Sequence, residues 1–220
     1  HKRHFRTQEK EFWEAASRFV YSIYDLDPET VVVINGDRAP WIREGVGYFP
    51  RAIYQVDPFH LKRDLRAIFR QKEQVLAQLE EARRSDATGA AFLGKLAEAV
   101  SELKDPKKRR QGEALLKDLA DIPDAVVDYR LRLQAMGLST EGLRGLGAAE
   151  SQVDTFSDRV KQRGRSWSRQ GLAAIMELLC WRNTDALHHV MDQVEELLGH
   201  TEVSLQQIKE QAVRQVRKVV

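Results

Sequence analysis

Two patterns of hydrophobic residues organise the first part of the chain. Between about Gln8 and Tyr24, apolar residues recur every three or four positions, which predicts an amphipathic helix. The run Val31–Ile34 consists of consecutive β-branched apolar residues and predicts a strand that is buried on both faces. A short amphipathic segment from Trp41 and a second predicted strand, Ala52–Val56, follow. Helix, strand, helix and strand in this order indicate a βαβ-type arrangement with parallel strands.

From Phe59 to about Met136 the pattern is helical throughout. Breakers at Ser85–Gly89 and at Asp105–Pro106 separate the apolar stripes, and Pro123 starts a further helix. The stripes run from Leu61 to Leu79, from Phe92 to Leu103 and from Leu115 to Ile122. This segment therefore predicts three or four packed helices, inserted between the second strand and the rest of the core.

A glycine-rich segment, residues 137–147, predicts a loop that re-enters the core. The helix that begins near Ala148 carries Glu150 in its first turn, roughly 90° around from the apolar face of that helix. A carboxylate at this flank can be held by the core and still reach solvent and a metal ion. Alternatively, Glu150 is a first-turn acid that interacts favourably with the helix dipole.

These patterns together predict a mostly helical α/β fold with about two parallel strands. Residues 1–57 form a partial core, and residues 58–136 form the helical insertion. Residues 137–200 continue the core with the helix that carries Glu150 and a basic segment around Trp167. Residues 201–220 form a basic C-terminal helix.

Two acids stand where the predicted strands end. Asp37 follows the first strand after the turn Asn35-Gly36, and in α/β folds the carboxyl end of a strand is where ligands and metals bind. The alternative for Asp37 is a helix cap or an Asx turn. Asp57 precedes Pro58, which favours an N-cap acid with proline at the first helical position. His60 lies in the first turn of that helix, where a solvated side chain is the simplest interpretation.

Composition excludes several classes of protein. Hydrophobic residues make up 42% and charged residues 31%, and no apolar run is long enough to span a bilayer or to act as a signal peptide. The single cysteine, Cys180, cannot form an internal disulfide and fits a reducing compartment. No Cys/His cluster has the spacing of a zinc site. We therefore expect a cytoplasmic protein.

The net charge is only +2, but the basic residues are clustered. Five of them lie between positions 159 and 169 with no acid among them, and Trp167 lies within this run. The five are Arg159, Lys161, Arg163, Arg165 and Arg169. A stacking aromatic among phosphate-binding cations suits single-stranded or distorted DNA. A solvated basic face with a tryptophan packed on the core explains the run equally well.

Three stretches carry a resemblance to a known family. Residues 34–42 read Ile-Asn-Gly-Asp-Arg-Ala-Pro-Trp-Ile, and residues 48–62 read Tyr-Phe-Pro-Arg-Ala-Ile-Tyr-Gln-Val-Asp-Pro-Phe-His-Leu-Lys. Residues 147–153 read Gly-Ala-Ala-Glu-Ser-Gln-Val, and a basic segment that contains Arg-Ser-Trp-Ser follows. Together they resemble bacterial insertion-sequence transposases of the DDE type, in particular the Lre-like group, over about half of the chain.

The resemblance implies an RNase H-like core in which two Asp and one Glu hold Mg²⁺ or Mn²⁺. Asp37 would be the second of these catalytic carboxylates and Glu150 the third, with the helical insertion accounting for their separation. Asp57 and His60 would lie beside the active site, where His60 could contact DNA or orient a metal-bound group. The implied activity is cleavage and strand transfer at transposon ends into target DNA, performed by a homo-oligomer without membrane association, in the bacterial nucleoid.

The chain departs from that family in one respect. The first catalytic Asp belongs on a strand that precedes the Gln8–Tyr24 helix, and this sequence holds no such strand. The first residues also lack a starting methionine. We therefore expect a carboxyl-terminal portion of a larger transposase that is inactive alone. The rival hypothesis is a non-catalytic helical DNA-binding or assembly module, a degenerate transposase remnant in which Asp37 and Glu150 act only as caps.

Overall fold

The computed structural model of the protein describes residues 3–161, 166–183, 191–194 and 196, and the side chains at 148–152 and 183 lie outside that description. The chain divides into two compact units. The larger unit is Glu9–Val153, and the smaller one combines His1–Gln8 with Asp154–Val220. The four segments expected from the sequence are a different division and stay a prediction.

The larger unit contains a two-stranded parallel sheet within the residues that the structure describes. Its strands are β1, Val32–Gly36, and β2, Ala52–Val56. In the register of the sheet Val32 lies beside Ala52 and Gly36 beside Val56, so both strands end at the same edge. The predicted α/β class, the parallel pairing and the bounds of β2 are confirmed. β1 extends two residues further than the apolar run, through Asn35 and Gly36.

The prediction that the first strand is buried on both faces is wrong. In β1 only Ile34 is buried, and its neighbours on the strand are half-buried. Ile34 belongs to the main core, whereas Val31 and Val33 pack against a small cluster formed by Ile53, Tyr129 and Leu133. The apolar run thus reflects two different contacts, one on each face, and neither face of β1 is fully covered by the described residues.

Short helical elements surround the strands. Helix α1, Phe12–Ile23, precedes β1, and it begins four residues later than the sequence pattern suggests. Between the strands lie α2, Pro40–Arg43, and a 3-10 helix, Glu44–Tyr48. Gly45 allows this 3-10 helix to approach α1, because a Cβ at Gly45 would lie 2.5 Å from the ring of Trp13.

Residues 58–136 are all described and form five α-helices, where the sequence predicts three or four. They are α3, Pro58–Ile68; α4, Glu73–Ala82; α5, Ala90–Ser101; α6, Pro106–Ala120; and α7, Tyr129–Ala135. The Leu61–Leu79 stripe is two helices rather than one, because the chain turns after Phe69 with Gln71 at φ +67°. The segment from Pro123 is a separate 3-10 helix, Pro123–Val126.

One core joins these helices to the sheet. Phe69, Phe92, Leu96 and Leu119 are fully buried in it, together with Val56 of β2. Because the sheet and the helical segment share this core, the helices pack against the two strands that the candidate acids follow.

The remaining helices follow the glycine-rich segment. They are α8, Ala148–Val160, and α9, Arg169–Asn183, so the predicted helix that begins near Ala148 is confirmed. In the smaller unit, the guanidinium of Arg6 forms an ion pair of 2.8 Å with Glu177 of α9. The predicted C-terminal helix, 201–220, lies outside the described residues.

We expect Gly89→Ala to destabilise the larger unit strongly. Gly89 has φ +78°, and a Cβ there would overlap the carbonyl oxygen of Pro123. Gly142 is the matched control, because it has φ +76° and nothing within 4 Å of its Cβ position. Gly142→Ala should lower the free energy of unfolding by about 1–2 kcal/mol, the cost of left-handed backbone. Gly89→Ala should lower it by roughly 2 kcal/mol more in urea unfolding. Equal losses would show that the chain relieves the overlap without cost.

Candidate functional site

The candidate site lies at the carboxyl edge of the sheet. Asp37 follows β1 directly and Asp57 follows β2 directly. The backbone N–H of Asp57 donates to the carbonyl oxygen of Gly36 at 2.8 Å, which continues the contact between the strands beyond their last residues. The two acids therefore lie at one edge, the position that the sequence predicts for a ligand site in a parallel sheet.

The carboxylate of Asp57 is buried, with 3% of the residue exposed. Its Oδ1 accepts from the backbone N–H groups of Phe59 and His60, each at 3.0 Å, so Asp57 caps α3 as predicted. Oδ1 also lies 3.0 Å from Nδ1 of His60, and Oδ2 accepts from the side-chain amide of Asn35 at 2.9 Å. Both oxygens are thus engaged within the protein.

These contacts set the ionisation of Asp57. Burial alone would raise the pKa of its carboxyl group, but the hydrogen bonds from Asn35 and from the backbone and ring of His60 outweigh burial and hold the pKa below the ordinary 3.8. An ionised Asp57 can only accept hydrogen bonds. Nδ1 of His60 therefore carries the proton, and the carboxylate fixes the orientation of the ring.

Asp37 has the opposite environment, because its side chain is exposed. Its carboxylate accepts from the backbone N–H of Ala39 at 3.3 Å. The N-cap position of α2 is Ala39, without a side-chain cap. Of the two alternatives for Asp37, the helix cap is therefore wrong, and the local contact is that of an Asx turn. This geometry leaves the Asp37 carboxylate able to take an external cation.

Polar groups that the sequence analysis did not single out complete the edge. The Tyr54 hydroxyl donates to the carbonyl of Gly36 at 3.0 Å. Burial, with the negative charge of Asp37 as the next contribution, raises the pKa of Tyr54 to about 12, so this hydroxyl stays protonated. Oδ1 of Asn35 is buried and has no hydrogen-bond partner among the described residues. The position of Asn35 directly after the predicted strand Val31–Ile34 was the available signal for this residue, whereas only the fold reveals the role of Tyr54.

Arg38 lies next to Asp37 and carries a positive charge to this edge. Its guanidinium forms an ion pair of 2.6 Å with Asp64 of α3, and its Nε is buried without a hydrogen-bond partner in the described part of the chain. Asp64 thereby holds Arg38 beside the exposed carboxylate and keeps the cation from being fully solvated.

The meeting of Asp37 with Glu150 stays a prediction. Glu150 lies in the first turn of α8, but its side chain is outside the described residues. Among the side chains that the structure does describe, no three His, Cys, Asp or Glu residues form a group that could hold a metal ion. The described residues at the carboxyl edge of the sheet therefore do not form a three-acid metal site by themselves.

The predicted basic run is only partly described. Arg159 lies in the last turn of α8, Lys161 follows that helix, and Arg169 begins α9. Trp167 is 38% exposed, and its indole N–H donates to the carbonyl of Val160 at 3.0 Å. Its ring is thus not fully packed on a core. Arg163 and Arg165 lie outside the described residues.

The fold and this edge define a mostly helical α/β protein with a carboxylate site at the end of a small parallel sheet. The chain belongs to the uncharacterised protein family UPF0236, whose family model matches residues 1–196. No solved structure matches the chain. None of the helices in the described part of the chain combines the length and the hydrophobicity that a membrane span requires.

Similar proteins come from Caldanaerobacter subterraneus subsp. tengcongensis. Three UPF0236 proteins of this bacterium, among them TTE2489 and TTE0402, are each 24% identical to the chain in an alignment of 216 residues, and each match covers 94% of the chain. The aligned region covers 43%, 44% and 41% of these relatives. The chain therefore spans less than half the length of the curated relatives that it matches.

We expect Asp57→Ala to cost more stability than the same change at another helix cap. Asp105 is the matched control, because its exposed carboxylate accepts from the N–H groups of Lys107 and Lys108 and caps α6. Asp105→Ala should lower the free energy of unfolding by about 1 kcal/mol, the usual value of a cap. Asp57→Ala also leaves the side-chain N–H of Asn35 without its acceptor. It should therefore lower the free energy of unfolding by about 2–4 kcal/mol. Similar losses in urea unfolding would contradict a structural role beyond capping.

Asp57 should also make stability depend on pH. Because its pKa in the folded protein lies below 3.8, the ionised carboxylate contributes fully above that value, and the contribution is lost as the pH falls through the folded pKa. Wild-type stability should therefore fall more steeply than that of Asp57→Asn when the pH drops below about 4. Urea midpoints measured from pH 6 to pH 3 test this, and parallel curves would contradict it.

Proposed function

We propose that the chain is part of the catalytic region of an insertion-sequence transposase that cuts and joins DNA. The observation that carries this proposal is the exposed carboxylate of Asp37 at the carboxyl edge of a parallel sheet, beside a buried and fully bonded Asp57. One acid holds the edge together, and the other is left to act on a ligand. The resemblance of residues 34–42 and 147–153 to DDE transposases supports the same assignment.

A name among the relatives supports a mobile element. One UPF0236 protein of Caldanaerobacter subterraneus carries a name that joins eleven gene designations. A protein encoded many times in one genome is typical of an element that copies itself. Because the chain spans less than half of these relatives, the activity of the whole protein is part of the proposal.

The residues at the edge fit a divalent ion in part. Mg²⁺ and Mn²⁺ prefer carboxylate and carbonyl oxygens. Asp37 offers an exposed carboxylate, and Asn35 offers a buried amide oxygen without a partner among the described residues. Asp57 does not fit, because both of its oxygens already accept hydrogen bonds. We propose Asp37 and Glu150 as ligands, with a third acid in the part of the whole protein outside this match.

Asp37 and Glu150 would hold the metal ions, which would supply the activation of a water or a 3′-hydroxyl and the stabilisation of the leaving oxygen. The residues of this chain have supporting tasks in the proposal. Asp57 holds the end of β1 through Asn35 and orients His60 toward the same edge. Arg159, Lys161 and the other cations around Trp167 bind the DNA backbone. The active complex is a homo-oligomer on transposon ends and target DNA, within the bacterial cytoplasm.

The second candidate is a non-catalytic DNA-binding or assembly module. One observation favours it, namely that the described residues contain no group of three metal ligands. In that case Asp37 and Glu150 have no metal to hold, and only the cationic surfaces contribute to function. The two candidates differ in whether removing the Asp37 carboxylate changes DNA cleavage without changing DNA binding.

Replacing Asp37 tests the proposal in the whole protein. We expect Asp37→Asn to lower Mg²⁺-dependent cleavage of DNA that carries the flanking ends by at least about a hundredfold, because a mispositioned reacting group already costs that much. DNA affinity, measured by fluorescence anisotropy, should stay the same. Asp25→Asn is the control, since Asp25 is also exposed but lies in the loop after α1.

A cysteine at the same position tests direct ligation. Asp37→Cys should be inactive with Mg²⁺ and partly active with Mn²⁺, because a thiolate binds the softer ion better. Unchanged cleavage by Asp37→Asn would overturn the catalytic role. Loss of cleavage and DNA binding together would assign Asp37 to the DNA interface instead of the chemistry.

A further inference from the structure

A cationic surface lies on the helical segment of the larger unit, and none of its residues belongs to the basic run at residues 159–169. Two turns contribute to it, the turn between α3 and α4 and the turn between α5 and α6, the latter together with the first residues of α6. Its members are Arg70, Lys72, Lys104, Lys107, Lys108 and Arg110, and we call them the two-turn basic surface. Four of them, Arg70, Lys72, Lys104 and Lys108, line one open depression of about 340 Å³. The fold thus joins cations that are more than thirty positions apart in the sequence.

The positive charges of this surface are not paired with acids in the described part of the chain. None of the six side chains forms an ion pair there, whereas Arg18, Arg84 and Lys95 pair with acids three or four positions away in the sequence, Glu14, Glu80 and Glu98. Two acids, Glu102 and Asp105, share the depression. The Asp105 carboxylate is already engaged, because it accepts from the backbone N–H groups of Lys107 and Lys108.

Arg109 shows which cation of this run is structural. Its guanidinium donates to the carbonyl oxygens of Leu103 at 3.1 Å and Ser101 at 2.9 Å, so it ties α6 to the end of α5. Its neighbours Lys107, Lys108 and Arg110 have no such contact among the described residues. The structure therefore uses one cation of Lys107–Arg110 to fix the turn and leaves the others for an external partner.

The surroundings of the surface indicate the kind of partner. Protein interfaces depend on buried aromatic or aliphatic anchors. None of the large exposed hydrophobic residues in the described part of the chain belongs to either turn. Single-stranded nucleic acid needs aromatic side chains on which bases stack, and the two turns expose none. A regular array of phosphates needs only the cations.

We propose that the two-turn basic surface binds the phosphate backbone of duplex DNA without reading its sequence. The choice of DNA as the polyanion rests on the proposed function, but the surface requires neither Asp37 nor a metal ion. Each phosphate that a Lys or Arg neutralises releases counterions, so the affinity falls with salt in proportion to the number of contacts. The surface would hold flanking or target DNA while chemistry takes place elsewhere.

The test compares two triple variants of the chain that remove the same charge. Lys107→Ala/Lys108→Ala/Arg110→Ala removes three cations of the surface and keeps the Asp105 cap, because the capped groups are backbone N–H. Arg18→Ala/Arg84→Ala/Lys95→Ala removes three exposed cations that are paired with acids. Because alanine has a high helix propensity, both variants should keep their helices. Circular dichroism and thermal unfolding check that each variant is folded.

Fluorescence anisotropy on a random-sequence duplex, repeated over a series of NaCl concentrations, gives the expected difference. The surface variant should bind at least about tenfold more weakly at 100 mM salt, and its slope of log affinity against log salt should fall by roughly two to three units. The control variant should keep the wild-type slope. Equal losses of DNA affinity in both variants would show that only the net charge matters, which would overturn the proposal. An unchanged salt slope in the surface variant would overturn it as well.

The outcomes separate this surface from the catalytic proposal. Asp37→Asn should leave the salt slope unchanged, and the surface variant should weaken cleavage through binding rather than through metal dependence. If Asp37→Asn keeps full cleavage while the surface variant loses DNA, the catalytic role fails and the surface stands. A single-stranded oligonucleotide provides a further comparison. If it binds the chain as strongly as the duplex, and if the surface variant lowers its salt slope by the same amount, the assignment to duplex DNA is overturned.

Discussion

The buried carboxylate of Asp57 is the interaction on which the candidate site depends. Burying a charge is costly unless hydrogen bonds compensate for it. Asp57 obtains them from Asn35 on β1 and from the first turn of α3, while its own N–H donates to Gly36. A single residue thus fixes the ends of both strands and the start of a helix. The position of Asp37 follows, because it is attached to the strand end that Asp57 holds.

Two acids at one edge of a sheet have different tasks because their environments differ. Asp57 accepts hydrogen bonds on both oxygens and has little capacity left for a metal ion. Asp37 is exposed and accepts from the N–H of Ala39 at the long distance of 3.3 Å. Burial is the main cause of the raised pKa of Tyr54, and the negative charges of Asp37 and Asp57 add to it. Environment, rather than residue type, therefore separates the acid that builds the edge from the acid that is available for a ligand.

Features set by neighbours in the sequence were predictable. The bounds of β2 and the cap formed by Asp57 with Pro58 follow from local chemistry. The break between α3 and α4 was not predictable, because Gln71 adopts φ +67° without a glycine or proline signal. The burial of β1 was overestimated, since periodicity does not show how many strands or helices cover a face. The two-turn basic surface was missed because Arg70 and Lys104 meet only through tertiary packing.

The exposure of Asp37 favours a functional role over a purely structural one. Structural acids in this chain are used repeatedly: Asp86 accepts from the backbone N–H groups of Thr88, Gly89 and Ala91. Asp37 gains far less from its one long contact. It also places a negative charge at the same edge as Asp57, where like charges repel. A side chain that contributes little to stability yet lies at a strand end in a rigid setting is what a ligand site requires.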